Sequence, residues 1–257
     1  MTPLLEVKNL TVRFARGRGQ PLAAVDGVSF QLFPGEVLGI VGESGCGKST
    51  VARAVTRLVD SSSGSIAVHG QDVTRVRGRR RRELYRHMQM VFQSPADSFD
   101  PRRTLGDGVG ESLRNRGVSK KQAMAQARGL LEQCGLPASL AERYPHEVSG
   151  GQCQRAAIAR ALAIRPELLI CDEATSALDV TVQQQILDLL DRCRREYAMA
   201  YLFICHDLAL VERFCDRVLV MQAGRIVEQG TPEQVIGAPK QAYTRQLIES
   251  SLLFANY

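Results

Sequence analysis

The 257-residue sequence has no long apolar run. Its apolar runs, such as VLGIVG and AYLFIC, fall far short of the roughly 20 residues that span a bilayer. The amino terminus, MTPLLEVKNL, lacks a basic stretch followed by an apolar core, so no secretory signal is expected there. The cysteines, at 46, 134, 153, 171, 193, 205 and 215, contain no C-x-x-C pair. That argues against zinc and dithiol redox chemistry. Their odd number and apolar neighbours suit a reduced, cytosolic protein. Internal repeats, coiled-coil heptads and low-complexity tracts are also missing, apart from one basic run, RGRRRR (Arg77–Arg82). Such a run is ordinarily a solvated face. Contact with anionic headgroups or nucleic acid is the competing reading. If the protein works at a membrane, a partner must hold it there.

What is present fits a single domain over residues 1–257. The chain is 44% hydrophobic and 23% charged, with net charge +6. A chain this long can bury a core without disulfide or metal staples. LLEVKNLTVRF and AVDGVSFQLF are rich in β-formers and read as strands, separated by the loop ARGRGQ. PGEVLGIVG reads as a turn and a short buried strand, KSTVARAVTRLV as a helix, GSIAVHG and MQMVFQ as strands. From about residue 105 to 165 helical patterns dominate: LGDGVGESLRN, SKKQAMAQARGLLEQCG and GQCQRAAIARALA. Ser119 and Gly135 bracket the middle one as caps. Further on, the strands ELLICDEA and AYLFICHD flank the helix TVQQQILDLLDRCRREY. This alternation predicts an α/β fold, a parallel sheet with helices on both faces. VLVMQAGRIVEQG reads as a hairpin turning at Ala223 and Gly224.

Gly42 to Ser49, GESGCGKS, matches G-x-x-x-x-G-K-[ST] between a buried strand and an amphipathic helix. Glycines let the backbone curl until its N–H groups face phosphate oxygens, and the helix N-terminus adds partial positive charge. The expected ATP cradle is Gly42, Ser44, Gly45, Cys46, Gly47, Lys48, Ser49 and Thr50. Lys48 is placed to reach the β- and γ-phosphates, and the Ser49 hydroxyl to ligate Mg²⁺. LLICDE delivers Asp172 to a strand's carboxyl end, suited to Mg²⁺, with Glu173 beside it to polarise an attacking water. Gln93 after MVF is a further candidate for Mg²⁺ or water, and His206 after LFIC for the γ-phosphate. A lone His or Gln at such a place is more often structural.

A second glycine turn, SGGQ (Ser149, Gly150, Gly151, Gln152), opens a helix but carries no lysine. Its free N–H groups and serine hydroxyl suit an anion. The economical reading is that it caps the γ-phosphate bound by another subunit, two cassettes burying two ATPs head to tail.

Taken together, GESGCGKS, MVFQ, VSGGQ, LLICDE, SALD and CHD resemble the ATP-binding cassette (ABC) ATPases over essentially the whole chain. Departures are mild: Val148 precedes SGGQ in place of leucine, and Phe14 stands where a tyrosine commonly stacks on adenine. Phe14 is otherwise a core strand residue. The resemblance implies a P-loop NTPase fold: a RecA-like core, an antiparallel β subdomain, and an α-helical subdomain at about 95–165 bearing Ser149 to Gln152. It also implies that Asp179 lies in a loop signalling across the dimer. QSPADSFDPRRTLGD and APKQAYTRQLIES are similar to the oligopeptide, dipeptide and nickel importer branch, and LFICHDLALVERFCDRVLVM to its nickel-importer ATPases. The implied protein is the ATPase subunit of a bacterial importer on the cytosolic face of the inner membrane. Its implied partners are a second ABC ATPase, identical or homologous, two membrane permeases and, through them, an extracytoplasmic solute-binding protein, with no nucleic acid. No cysteine follows Cys215, which argues against an iron–sulfur cluster. The alternatives are a soluble ABC ATPase in DNA repair or translation, favoured only by the basic balance, and an exporter motor.

Overall fold

The computed structural model describes residues 2–15, 22–95, 98–175 and 178–254. Most of the ARGRGQ loop, Ala96 and Asp97, Ser176 and Ala177 of SALD, and the end of LLFANY lie outside the described residues. The chain begins with β1 (Leu5–Phe14), β2 (Leu22–Leu32), β3 (Val37–Val41), α1 (Lys48–Val55), β4 (Ser63–Val68), β5 (Gln71–Asp72), α2 (Gly78–His87) and β6 (Met88–Val91). Helices α3 (Leu105–Val109), α4 (Glu111–Arg114), α5 (Lys120–Gln133) and α6 (Gly150–Leu162) follow. The remainder is β7 (Leu168–Asp172), α7 (Val180–Tyr197), β8 (Ala200–Ile204), α8 (Leu208–Phe214), β9 (Arg217–Gln222), β10 (Arg225–Gly230) and α9 (Ala242–Phe254). Two compact units result: residues 1–85 with 200–257, and residues 86–199.

The first unit contains an antiparallel sheet, β2-β1-β4-β5. It also contains strands in the order β10-β9-β3-β8, with β3 parallel to β8 and β9, and β10 antiparallel at the edge. β3 (VLGIV) and β8 (AYLFI) are buried at every position. Continuous burial, rather than alternation, is what a parallel strand covered on both faces demands. Each such Leu, Ile or Phe contributes about 1.5–3 kcal/mol. Phe214 of α8 packs on Tyr201 and Phe203 of β8, with ring centroids 5.9 and 5.3 Å away. The β9–β10 turn holds Ala223 at φ 46° and Gly224 at φ 83°. Two successive positive φ values match the twist of a tight hairpin.

Helix α1 is shorter than its apolar pattern suggests. It stops at Val55 because Arg57 turns left-handed, at φ 60°. The N–H groups of Leu58 and Val59 both fold back onto the Arg53 carbonyl, at 2.9 and 3.1 Å. The Arg57 guanidinium then grips Asp60 at 2.6 Å, holding the conformation in place. All of the arginine run but Arg77 lies on α2, whose side chains are exposed apart from buried Leu84 and the half-buried Tyr85 and His87. Helices α2, α8 and α9 go beyond the sequence reading. α8 has only seven residues, too few to show a helical period, and starts at Asp207, whose carboxylate accepts the Leu210 N–H at 3.2 Å.

The start of α9 is clamped to β10 by one carboxylate. Glu228 accepts the N–H groups of Lys240 at 2.8 Å and Gln241 at 3.1 Å, and the Thr244 hydroxyl. Partial burial pushes its pKa upward, but those donors outweigh it and hold the carboxyl below its ordinary value of 4.5. A depressed folded-state pKa means that protons bind the unfolded chain more readily. The clamp's stabilisation is therefore complete above the unfolded pKa and is lost as pH falls through the folded one. Glu228→Gln should cost about 1 kcal/mol at pH 7. Thermal melts of both proteins should converge as the pH falls below 4.5 and through the lowered folded-state pKa. A difference that persists unchanged at the acid end would remove the ionised clamp.

In the second unit β6 and β7 pair in parallel, Met88 opposite Leu168 through Val91 opposite Cys171. Both expected caps of α5 hold. Ser119 Oγ accepts the Gln122 N–H at 3.3 Å, and Gly135 turns left-handed at φ 70° past the last turn. LGDGVGESLRN forms two short helices, α3 and α4, meeting at Gly110. A Cβ there would stand 3.3 Å from the Ala123 carbonyl of α5, so the break also allows a close helix crossing. Burial pushes the thiols of Cys134 and Cys171 up to about 12. All seven cysteines are free. Among the described residues no helix is long and apolar enough to cross a membrane.

Candidate functional site

β3 delivers the chain to Gly42, and the loop that follows wraps into the first turn of α1. Gly42, Gly45 and Gly47 all take positive φ, at 146°, 79° and 111°. Space forbids a side chain at two of them. A Cβ on Gly42 would stand 2.2 Å from the Met221 carbonyl, and one on Gly47 2.3 Å from that of Ala24. The loop is thus pressed against β9 and β2, while Glu43, Ser44 and Gly45 face outward at its tip. Cys46 is buried. Burial raises its thiol pKa, against the opposing pull of Lys48. Lys48 is only 5% exposed. Its ammonium donates to the carbonyls of Gly42 at 2.7 Å and Glu43 at 2.8 Å, closing the loop on its own cation. Ser49 and Thr50, half-buried, stand in the first turn of α1. Curved backbone, a helix N-terminus and an enclosed ammonium together make an anion cradle.

His206 follows β8 in the same unit and is exposed. It shares a cavity of about 600 Å³ with Gly42, Glu43 and Ser44, floored by Leu208, Ile236 and Leu247. Lys48 and Ser49 do not line this space, so it flanks the cradle rather than filling it. Phe14, at the end of β1, is 44% exposed. That sets aside the core reading.

In the second unit β7 carries Asp172 to its end, 1% exposed. The next residue, Glu173, takes φ 51°. A glutamate rarely adopts this conformation, and such strain gathers where a side chain must be aimed. Its Oε2 accepts a 2.6 Å hydrogen bond from Gln93 Nε2, 80 positions earlier in the chain. β6 and β7 are parallel neighbours, so their ends bring these residues together. With its NH₂ committed to Glu173, Gln93 has its amide oxygen left for a metal. Carboxylate and amide oxygens, as on Asp172 and Gln93 in this unit, are the hard donors that Mg²⁺ takes, and the Ser49 hydroxyl in the first unit is of the same hard type.

The SGGQ turn is a complete capping box. Ser149 Oγ accepts the Gln152 N–H at 3.2 Å, and Gln152 Oε1 accepts the Ser149 N–H at 3.0 Å. Of the four first-turn donors of α6, the box consumes two and leaves the amides of Gly150 and Gly151. A Cβ on Gly150 would meet nothing within 4 Å. Ser149 Oγ acts here as an acceptor, so its own proton remains available to donate. Asp179 caps α7, accepting the Val182 N–H at 3.0 Å.

The ABC transporter family model matches residues 25–176. The chain belongs to the ABC transporter family. It is 48% identical over 253 residues to the glutathione import ATP-binding protein GsiA of Escherichia coli (strain K12), covering 96% of this chain and 41% of that protein. The chain therefore spans about two fifths of the length of these relatives. The oligopeptide transport ATP-binding protein OppF of Salmonella typhimurium (strain LT2) is 45% identical over 257 residues, covering 96% of this chain and 77% of OppF. These two relatives are named for glutathione and oligopeptide transport, the branch that segment 93–107 and the tail segment of this chain resemble. Nickel specificity finds no support in these relatives. The dimeric post-hydrolysis structure of the ATP-binding cassette MJ0796 bound to ADP and Pi superposes with a TM-score of 0.84 at 26% identity, covering 89% of this chain and 98% of that one. The fold is therefore the RecA-like P-loop fold of ABC cassettes.

Two residues of this ABC cassette carry no individual signal in the sequence. Gln154, in α6 beyond the SGGQ turn, is buried and donates to the Ala174 carbonyl at 2.8 Å, tying α6 to the loop after Glu173. Tyr243, in the tail segment, accepts the Glu43 N–H at 3.1 Å. Each contact joins distant positions, and no local pattern records it.

Proposed function

We propose that this chain is an ATP-hydrolysing subunit of a bacterial importer for glutathione-like or longer peptides. One observation carries the reading: a loop of three positive-φ glycines folded around a buried Lys48 ammonium. ATP phosphates take over as acceptors for Lys48 and the loop amides. The Phe14 ring stacks on adenine, and His206 donates to the γ-phosphate. Ser49, Asp172 and Gln93 supply oxygen ligands to Mg²⁺, which when bound offsets phosphate charge. Glu173, oriented by Gln93, accepts the proton of the attacking water.

The 95–165 helical segment forms a subdomain of a single cassette and presents SGGQ. Its glycine amides and the Ser149 hydroxyl cap the γ-phosphate held by a second ATPase, identical or homologous. Asp179 sits at the start of the helix whose loop signals across that pair. Closure on ATP and opening after hydrolysis rock two permeases, which hold the chain at the cytosolic face of the inner membrane and take solute from an extracytoplasmic receptor. A peptide fits the relatives better than nickel does.

The test is reconstitution with a pair of peptide-importer permeases. Vesicles should accumulate glutathione or oligopeptide only with Mg·ATP, and ATP cleavage per chain should fall on dilution of the free protein. Nickel uptake without peptide uptake would reverse the choice of cargo. Undiminished cleavage at high dilution would remove the shared site.

A further inference from the structure

The Gly42–Glu43 peptide is held at both of its polar ends. Its carbonyl, on Gly42, accepts from Lys48 Nζ at 2.7 Å. Its N–H, on Glu43, donates to the phenol oxygen of Tyr243 at 3.1 Å. This peptide plane turns about ψ of Gly42 and φ of Glu43, and Gly42, lacking a Cβ, offers little resistance on its side. A flip would break both hydrogen bonds and turn the carbonyl away from Lys48.

Tyr243 is well placed to prevent that flip. Its side chain is 8% exposed, in the first turn of α9. Burial raises the phenol's pKa, so it stays neutral through the physiological range. The same turn is fixed by the three donors that Glu228 accepts from Lys240, Gln241 and Thr244. Phosphate-loop backbone is thereby linked to β10 through the tail helix, within a single compact unit.

We propose that Tyr243 is a positioning residue for nucleotide binding: it locks the Gly42–Glu43 peptide in the orientation that aims the loop at phosphate. The proposal rests on the ATP-binding reading above. Tyr243 touches no reacting atom, so its loss should weaken binding and leave the chemical step alone.

Tyr243→Phe removes one oxygen and keeps the ring in its packing. In the full chain it should weaken Mg·ATP binding about three- to ten-fold. In the assembled transporter it should raise KM by a similar factor with kcat unchanged. Amide exchange across residues 42–47, measured without nucleotide, should quicken. Thr244→Val is the matched control. It removes one of the three donors to Glu228, leaving the phenol in place, and should lower thermal stability without changing ATP affinity or exchange in the loop. Unchanged exchange and affinity in Tyr243→Phe would overturn the proposal. So would equal losses in both variants, which would make α9 a general stabiliser. If the unmodified chain failed to bind ATP, the functional reading would fall, while the exchange measurement would still decide whether Tyr243 fixes the peptide.

Discussion

Replacing Glu173 by Gln is expected to cut ATP turnover about 10²- to 10⁴-fold, the usual contribution of a positioned general base. Nucleotide binding should survive, and the ATP-bound dimer should live longer, because the step that opens it is blocked. Folding should be spared for a local reason. Glutamine has glutamate's shape, and its amide can rotate to offer its oxygen to Gln93 Nε2, preserving the 2.6 Å contact. The left-handed backbone at φ 51° is no harder for Gln than for Glu. Single-turnover ATP cleavage by the assembled transporter, with the second ATPase carrying the equivalent change, is the decisive measurement. Wild-type cleavage there would assign proton removal to another group.

Ser149→Arg is expected to lower turnover in the assembly about 10²-fold, the typical cost of losing a donor aimed at developing charge. The nucleotide affinity of the isolated chain should hardly change. Arginine also destroys the capping box, at about 1 kcal/mol. Ser149→Asp separates the two effects. Aspartate is a good N-cap, so α6 keeps its start, yet its carboxylate would repel a phosphate approaching the Gly150 and Gly151 amides. Both variants should fail in the assembly while a folded Ser149→Asp chain still binds ATP alone. If the isolated chain loses affinity to the same degree, SGGQ serves its own nucleotide.

Local chemistry was legible wherever a residue's role is set by its neighbours in sequence. The apolar run VLGIV reads as a short buried strand after a turn, and it forms one buried at every position. Ser119 and Gly135 marked the ends of α5, and Ala223 with Gly224 the hairpin, because caps and tight turns depend on a few adjacent dihedral angles. The glycine spacing of residues 42–47 announced the cradle in the same way. Less was legible where packing overrode pattern. The end of α1 was decided by Arg57 and its grip on Asp60, and the break at Gly110 coincides with the close approach of α5.

The sequence by itself determined the central strands, the helices α1, α5, α6 and α7, the anion loop, the acidic strand end and the second glycine turn. Each is written in a window shorter than about twenty residues, where backbone preference and side-chain period act directly. Only the tertiary structure decided that Gln93 bonds Glu173, that Gln154 holds the loop at Ala174, and that Tyr243 reaches the Glu43 amide across 200 positions. Those pairings follow from strand order and helix docking. They are set by the shape of the packed core, which no short stretch of chain encodes.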